Sequence, residues 1–398
     1  MCRLRVFILI LFITCNFIGQ ACTIVAVSGK ATEDGRPLLL KNRDSKKADV
    51  KIKIGKGQRY TYLCQTIVPD SRALSGFNEV GFSILSAYSN NMTSTGASWN
   101  SYVMQLALEN CATIEDFENL LDSLPKPKPV KDNYGVMDAN GHVFIFEIGS
   151  NGYVKYDADD SDNGYLIRTN FSFSQDTTGL KTENPSSFHR YRIASAYLEK
   201  AFITNGYITK ENLFELSRCL VDDEGNDLRE VAPYDEYSTT RVKFRYYIPR
   251  YSSTSAMVVQ GTLPSEDAKL TVAWTMVGPP LTSVTVPYLI TPREVLPQKA
   301  QMGSDGYSWF SCVGQQLRNS IFTNQRTIDL ALLYNQSGTG ILQKIYKIEE
   351  VVLNKGNKLL KKLRNGKATC REIETYYSWV DYYIEEQYEL AKMICKKQ

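Results

Sequence analysis

Short β-rich runs separated by tight turns dominate the sequence between Cys22 and Asn170, and they constrain the fold more than any other feature. The runs "CTIVAVSG" and "PLLLKNRD" flank the turn-forming "EDGRP". "ALSGFNEVGFSILSAYS" predicts a hairpin that turns at residues 78–79, and "YGVMDANGHVFIFEIG" predicts a clearer one around residues 138–141. Strands joined by such short turns pair antiparallel.

Helical periodicity surrounds these strands. "WNSYVMQLALENCATIEDFENLLDSL" predicts a pair of helices, and helical patterns return over residues 187–220. The strand-like runs "SAMVVQGTL", "KLTVAWTMVG" and "SVTVPYLI" follow, and residues 326–398 are then predicted to be helical, with Gly356 and Gly366 as breaks. This order of strands, helices, strands and helices predicts an α+β domain in which antiparallel sheets are stacked between helical layers.

Residues 1–21 have the three parts of a secretory signal peptide. Arg3 and Arg5 form the positive end, residues 6–18 form the apolar centre, and small residues precede Cys22 at the expected cut. The apolar run is too short for a stable membrane span, and no other stretch reaches about 18 apolar residues. We therefore expect signal peptidase to remove the leader and the mature protein to be secreted or periplasmic.

Charge and residue spacing exclude several classes of protein. The net charge of +3 includes Arg3 and Arg5, so the mature chain is nearly neutral and has no sign of nucleic-acid binding. His142 and His189 are far apart, and the cysteines contain no CxxC pair, so the usual zinc spacing is missing. No metal and no cofactor is expected.

Cys22 stands where the signal peptide would be cut, and this position supplies a chemistry. A catalytic cysteine needs a base or a lowered pKa. An N-terminal cysteine carries its own base, because the α-amino group has a reference pKa of about 7.7–8.0. The alternatives are a lipidated lipoprotein cysteine and a small buried residue. The lipoprotein pattern favours a Leu-like residue where this chain has Gly19, and a polar tether where it has "TIVAV".

The stretch "CTIVAVSGKATEDGRPLLLKNRD" resembles the opening of the N-terminal nucleophile hydrolases of the choloylglycine hydrolase and penicillin V acylase group. It is also similar to the related acyl-CoA:6-aminopenicillanate acyltransferases. The resemblance implies a four-layer αββα sandwich with Cys22 as the nucleophile. It further implies that Asp44 holds and orients the N-terminal amine; a surface Asp at a strand end is the alternative.

Three later stretches extend the resemblance. "SGFNEVGF" is similar to a family hairpin that precedes a backbone N–H donor of the oxyanion hole, which by counting is Tyr88, with Asn90 as the alternative. "RTNFS" implies Asn170 as the second donor, and losing one such donor costs about 3–4 kcal/mol. "SSFHRYRIA" implies Arg190 as the family arginine, for which a charge on a helix surface is the alternative.

The chain also departs from the family pattern. Bile salt hydrolases and penicillin V acylases commonly have Arg three residues before the Asp, and this chain has Lys41, which cannot make the same forked contact. Lys41 and Asn42 are assigned to substrate binding. If the strand is regular, Arg43 is expected to point to the face opposite to that of Lys41.

These observations predict a signal peptide at residues 1–21, an N-terminal nucleophile hydrolase domain at 22–325 and a helical extension at 326–398. The predicted activity is cleavage of a linear, non-peptide amide through an acyl-thioester on Cys22. The alternatives are an acyltransferase that passes the acyl group to an amine, and an inactive secreted or lipid-anchored binding protein. The expected partners are a small-molecule amide substrate and signal peptidase, and a homo-oligomer is left open.

Overall fold

Two antiparallel sheets stacked face to face carry the fold. The computed structural model of the protein describes residues 21–67, 72–96, 98–304, 306–391 and 393, so the predicted signal peptide lies outside the described residues except for Ala21. The six-stranded sheet contains, in spatial order, β10 (Tyr165–Arg168), β1 (Thr23–Val27), β2 (Leu38–Asp44), β12 (Ser253–Gln260), β13 (Val272–Met276) and β14 (Thr285–Tyr288).

The second large sheet has seven strands and follows the chain order. Its strands are β3 (Val50–Lys56), β4 (Thr61–Ile67), β5 (Ser75–Asn78), β6 (Ser83–Tyr88), β7 (Asp132–Met137), β8 (Val143–Gly149) and β9 (Gly152–Asp157). A small third sheet contains β11 (Arg241–Lys243), β16 (Thr327–Asp329) and β15 (Phe322–Asn324). The two hairpins predicted around residues 78–79 and 138–141 are therefore confirmed.

Helices flank the sheets along the chain. They are α1 (Asn100–Asn110), α2 (Ile114–Ser123), α3 (Leu180–Glu183), α4 (Pro185–Asn205), α5 (Lys210–Ser217), α6 (Trp309–Ile321), α7 (Leu330–Leu333), α8 (Ile341–Arg364) and α9 (Cys370–Leu390). The predicted helical pair corresponds to α1 and α2, where Thr113 caps α2 by accepting a hydrogen bond from the Asp116 N–H.

Three apolar clusters join the layers in the order helix, sheet, sheet, helix. One lies between the six-stranded sheet and helices α4 and α5 and includes Val25, Leu40, Val258, Ile193, Leu198 and Leu213. Another lies between the seven-stranded sheet and helices α1 and α2 and includes Ile84, Val136, Phe146, Val103, Leu108 and Phe117. The third fills the space between the sheets and includes Ile24, Leu39, Leu63, Leu85 and Ile145. The predicted αββα sandwich is confirmed.

Strand alternation determines which side chains reach the space between the sheets. Ile24 and Ala26 of β1 point into this space, whereas Val25 and Val27 pack against α4 and α5. Cys22 belongs to the same inner cluster as Ile24. Cys22, which directly precedes β1, therefore presents its thiol to the interior of the sandwich.

The C-terminal region differs from its prediction in two respects. The stretch predicted to be wholly helical begins with β16, which pairs with β11 and β15. Gly356 does not break a helix, because α8 continues through it to Arg364. A Cβ at Gly356 would lie 2.9 Å from Pro287 Cγ and 3.0 Å from the Tyr376 hydroxyl, so the glycine permits close packing of α8. Gly366, with φ of 65°, does follow the helix end.

The last two helices contribute to the core. Ile345 and Val352 of α8 and Tyr377 of α9 belong to the same cluster as the inner faces of the sheets. The proposed division of the chain at residue 325 stays a prediction. Six cysteines fall in the described ranges, all as free thiols, and none of the helices in those ranges is long and apolar enough to cross a bilayer.

A buried ion pair connects α8 to the six-stranded sheet. Arg218 donates two hydrogen bonds to the Glu349 carboxylate, at 2.7 and 2.6 Å, and a further one to the Ser283 carbonyl at 2.8 Å. Glu349 also accepts from the Thr285 N–H in β14, at 2.5 Å. The buried pair thus supplies hydrogen-bond partners for the Ser283 carbonyl and the Thr285 N–H.

We expect Glu349→Ala to lower the free energy of unfolding by about 3–5 kcal/mol, because it leaves the Arg218 cation buried without its partner. Urea denaturation measures this as a lower midpoint at an unchanged slope. The control is Glu350→Ala, since Glu350 is the exposed neighbour on the same helix and its loss should change stability by less than about 0.5 kcal/mol. Equal effects of the two substitutions would contradict the role given to Glu349.

Candidate active site

Cys22 lies at the start of β1, in the interior of the six-stranded sheet. β1 pairs with β2 on one side and β10 on the other, with Thr23 opposite Asn42 and Ile24 opposite Arg168. Only 5% of Cys22 is exposed. The fold thus brings the predicted nucleophile next to the motif at the end of β2.

A buried arginine from α4 fixes the backbone around Cys22. Arg190 donates to the Cys22 carbonyl oxygen, to Thr23 Oγ1 at 2.9 Å and to Asn170 Oδ1 at 2.8 Å. Burial lowers the pKa of Arg190 to about 9, and the Arg250 cation adds to this effect. Arg190 is therefore a buried positioning residue, which excludes the helix-surface alternative.

Asn170 has its side-chain amide oriented by two bonds. Its oxygen accepts from Arg190, and its nitrogen donates to the Tyr88 carbonyl at 2.8 Å. Because an amide nitrogen carries two hydrogens, one remains to donate to another acceptor. The Asn90 N–H already donates to the Asn170 carbonyl, at 2.9 Å. The structure therefore brings together Tyr88, Asn90, Asn170 and Arg190, as the motifs imply.

Asp44 lies at the end of β2 and is held from both sides. Its carboxylate accepts from Ser253 Oγ and from the Arg250 guanidinium. The same Arg250 donates to the Ala21 carbonyl at 3.2 Å. Asp44 is thus connected through Arg250 to the peptide bond between Ala21 and Cys22.

Arg250 and Ser253 were not predicted from the sequence. Ser253 is the partner of Asp44 across the β2–β12 pair, and Arg250 precedes that strand in a loop. No local motif marks either residue, because the contacts join segments more than 200 positions apart in the chain. Only the pairing of β12 with β2 could have indicated them.

Lys41 and Arg43 share one face of β2, and the prediction that Arg43 points to the opposite face is wrong. The two residues are two positions apart, and strand side chains alternate with a period of two. Both line a cavity of about 450 Å³ together with Cys22. Lys41 donates to the Leu74 carbonyl at 2.7 Å, and Arg43 donates to Thr254 Oγ1 at 2.6 Å.

Asn42 lies on the other face of β2. Its side chain is buried and donates to the Ile248 carbonyl at 3.4 Å. The structure therefore places Asn42 outside the cavity that holds the Cys22 thiol, whereas Lys41 lines it.

We call the 450 Å³ space the thiol cavity. Its lining residues are Cys22, Lys41, Arg43, Lys47, Ile67, Leu74, Ser86, Tyr88, Ser98, Asn100, Ser101, Met104 and Asp132. Burial lowers the pKa of Lys41 and of Arg43, and a Cys22 thiolate opposes this effect for both. Three basic side chains, Lys41, Arg43 and Lys47, thus line the cavity together with the nucleophile.

Asp132 is the acid among the described residues of the thiol cavity, and the sequence did not single it out. It begins β7, pairs with Tyr88 and is 2% exposed. Burial raises the pKa of Asp132 to about 7, against the opposing effects of Lys41 and of hydrogen bonds from Ser86, Asn133 and Asn100. An acid whose pKa burial raises to about 7 therefore lines the same cavity as the thiol.

A second space, the Ala21 depression, lies on the other side of Cys22. It has a volume of about 600 Å³, shares Tyr88 with the thiol cavity, and includes Asn170 and Arg250 in its wall. Three arginines line it, Arg245, Arg250 and Arg326. Ala21, the residue before the expected cut, forms part of its wall. No cluster of metal-ligating side chains occurs among the residues that the structure describes.

The Asp132 carboxyl should make stability depend on pH. Its pKa is about 7 in the folded chain and about 3.9 in an unfolded one, so the folded state binds more protons between these values. The unfolding free energy therefore falls as pH rises from about 4 to 7. We expect Asp132→Asn to be more stable than the wild type at pH 8 by roughly 1–3 kcal/mol, with no difference near pH 4.

Urea denaturation at both pH values tests this expectation. Asp122→Asn is the control, because Asp122 is exposed on α2 and should give the same small change at pH 4 and pH 8. A wild type more stable than Asp132→Asn at pH 8 would show that Asp132 is held ionised by its partners.

Comparison with solved structures finds several distant likenesses. A variant of conjugated bile acid hydrolase from Clostridium perfringens has a TM-score of 0.38 and 16% identity, over 68% of this chain and 92% of that one. Penicillin V acylase from Agrobacterium tumefaciens has a TM-score of 0.38 and 16% identity, over 68% of this chain and 87% of that one. Scores of this size carry no argument about substrate or mechanism. No curated protein matches the sequence.

A family model gives a stronger result. The model described as acyl-coenzyme A:6-aminopenicillanic acid acyl-transferase matches residues 31–246, just over half of the chain. The matched range contains Asp44, Tyr88, Asn170 and Arg190, and it begins after Cys22. The chain therefore belongs to the acyl-coenzyme A:6-aminopenicillanic acid acyl-transferase family.

Proposed function

We propose that this protein is an exported amidohydrolase that cleaves a linear, non-peptide amide through an acyl-thioester on Cys22, after removal of residues 1–21. Membership of the family indicates amide hydrolysis or acyl transfer as the type of reaction. One observation carries the specific assignment. The Cys22 thiol lines a cavity that shares Tyr88 with the Ala21 depression, and the oriented Asn170 amide, which donates to the Tyr88 carbonyl, lines that depression.

The proposed reaction begins with the free α-amine of Cys22. The amine takes the thiol proton, and the thiolate attacks the carbonyl carbon of the amide. The resulting oxyanion accepts hydrogen bonds from the Asn170 side chain and the Tyr88 N–H. Asn170 suits this role because Arg190 fixes its orientation before substrate arrives.

Collapse of the tetrahedral intermediate breaks the carbon–nitrogen bond. The protonated amine of Cys22 gives its proton to the leaving nitrogen, and the acyl group stays on sulfur as a thioester. Water, deprotonated by the same amine, then attacks the thioester and releases the acid and the thiol. The Asp44 carboxylate, which Arg250 connects to the peptide bond between Ala21 and Cys22, would stabilise the protonated form of this amine.

A second candidate is acyl transfer to an amine. The matching family model is that of an acyl-transferase, which favours it. The thioester would then react with an amine in place of water, and the Ala21 depression has room for the acceptor. The ratio of transferred to hydrolysed product, measured with added amines, separates the two activities.

The first test concerns the mature N-terminus and the thiol. Intact mass and N-terminal sequencing of secreted protein should show a chain that begins with unmodified Cys22. Cys22→Ala should lower amide turnover by at least about 10³-fold, because the nucleophile is lost. Cys312→Ala, which changes a free thiol outside the cavity, should keep full activity. A blocked or lipidated amine, or full activity of Cys22→Ser, would refute the mechanism.

The second test concerns the oxyanion donor. Asn170→Ala should lower kcat by about 10²–10³-fold with a smaller change in KM, because the donor acts mainly on the transition state. Asn205→Ala, at the exposed end of α4, should behave as wild type. An Asn170→Ala variant that raised KM alone would assign Asn170 to substrate binding instead.

A further inference from the structure

The proton that the Cys22 amine gives to the leaving nitrogen indicates which of the two spaces beside Cys22 holds which half of the substrate. In the proposed reaction the Cys22 amine protonates the leaving nitrogen, so that nitrogen lies within hydrogen-bond reach of the amine. The space next to the Cys22 nitrogen is the Ala21 depression, because Ala21, which is bonded to that nitrogen, lines it. The amine half therefore lies in the Ala21 depression, and the acyl half extends into the thiol cavity.

The thiol cavity carries an excess of positive charge. Lys41 and Arg43 are each 4% exposed, and Lys47 lies at its exposed rim. The ion pairs among the described residues involve neither Lys41 nor Arg43. Their hydrogen bonds go to neutral oxygens: Lys41 donates to the Leu74 carbonyl, and Arg43 donates to Thr254 Oγ1 and to the Lys47 carbonyl.

Buried cations without carboxylate partners are costly, and an anion in the same space would stabilise them. The burial that lowers the pKa of both groups is a sign of this cost. Asp132 reduces the excess charge only in part, since three cations line the cavity with it. The walls also offer apolar surface from Ile67, Leu74 and Met104.

We propose that the acyl half of the substrate ends in a carboxylate, which binds to Lys41 and Arg43 at the end of a short apolar chain. The substrate would thus be a monoamide of a dicarboxylic acid. This inference rests on the proposed function for the orientation of the substrate, and on the charge and burial of the cavity for its chemistry.

A thiolate at Cys22 is the other anion that these cations could stabilise, and the two roles predict different results. If Lys41 acts only on the thiolate, its loss slows every acyl group equally. If Lys41 binds the acyl carboxylate, its loss slows only substrates that carry one. The ratio of kcat/KM between a charged substrate and its neutral analogue separates the roles.

The experiment uses p-nitroanilides of succinic, glutaric and adipic acid and their terminal-amide analogues with the mature protein. We expect the best carboxylate substrate to exceed its amide analogue in kcat/KM by roughly 10- to 100-fold. Lys41→Met should bring that ratio close to one. Lys46→Met is the control, because Lys46 is exposed and lies outside the lining of the cavity, and it should keep the wild-type ratio. The proposal would be overturned if the wild type preferred the neutral terminal-amide substrates. It would also be overturned if Lys41→Met lowered kcat/KM equally for the carboxylate and amide substrates.

A binding measurement keeps the inference separate from the proposed function. Calorimetry with glutarate and adipate on mature Cys22→Ala needs no turnover. Binding of a dicarboxylate at least about 10-fold tighter than hexanoate, and lost in Lys41→Met, would support the cavity assignment even if no anilide were cleaved. Equal or weaker binding of the dicarboxylates would overturn it.

The pH dependence of the kcat/KM ratio between a carboxylate substrate and its amide analogue is an independent test of the proposal. Asp132 lines the cavity together with Lys41, Arg43, Lys47, Cys22 and Tyr88, and it interacts electrostatically with Lys41 and with Tyr134. Because burial raises its pKa to about 7, its carboxyl becomes neutral as pH falls through that value. The preference for the carboxylate substrate should therefore rise between pH 8 and pH 6. Asp132→Asn should show the high preference at both pH values, and an unchanged or lower preference in that variant would count against the proposal.

Discussion

The hydrogen bonds of one buried guanidinium hold the site together. Arg190 reaches from α4 to the Cys22 carbonyl and Thr23 at the start of β1, and to Asn170 in the loop after β10. Because a guanidinium is planar and offers several donors in fixed directions, it sets both the direction of β1 at its first residues and the orientation of the Asn170 amide. A lysine at this position could not make these contacts together.

The sequence predicted best those features that depend on residues close to one another in the chain. Cys22, Asp44, Asn170 and Arg190 stand in short motifs whose neighbours also form the strands and helix that carry them. Hairpin turns and apolar alternation were enough to predict two antiparallel sheets between helices. These signals lie within a few residues of each other, so no knowledge of the folded chain was needed to read them.

Other features depend on contacts between distant segments, and local patterns could not reveal them. Arg250 and Ser253 meet Asp44 only because β12 pairs with β2. Asp132 gains its raised pKa from burial in the assembled sandwich. Gly356, interpreted as a helix break, is a contact point for Pro287 and Tyr376. In each case the residue type was ambiguous, and tertiary packing decided its role.

Arg250 connects Asp44 to the Ala21 carbonyl, and the peptide bond between Ala21 and Cys22 determines when the proposed chemistry can begin. While Ala21 is attached, the nitrogen of Cys22 is an amide nitrogen, which cannot act as a base at neutral pH. The unprocessed chain therefore already has the thiol, the oriented Asn170 and both spaces for a ligand, but it lacks the α-amine that the proposed mechanism uses as the base. Under the proposed mechanism, the unprocessed protein would be latent for a chemical reason, and breaking the peptide bond between Ala21 and Cys22 would remove the block.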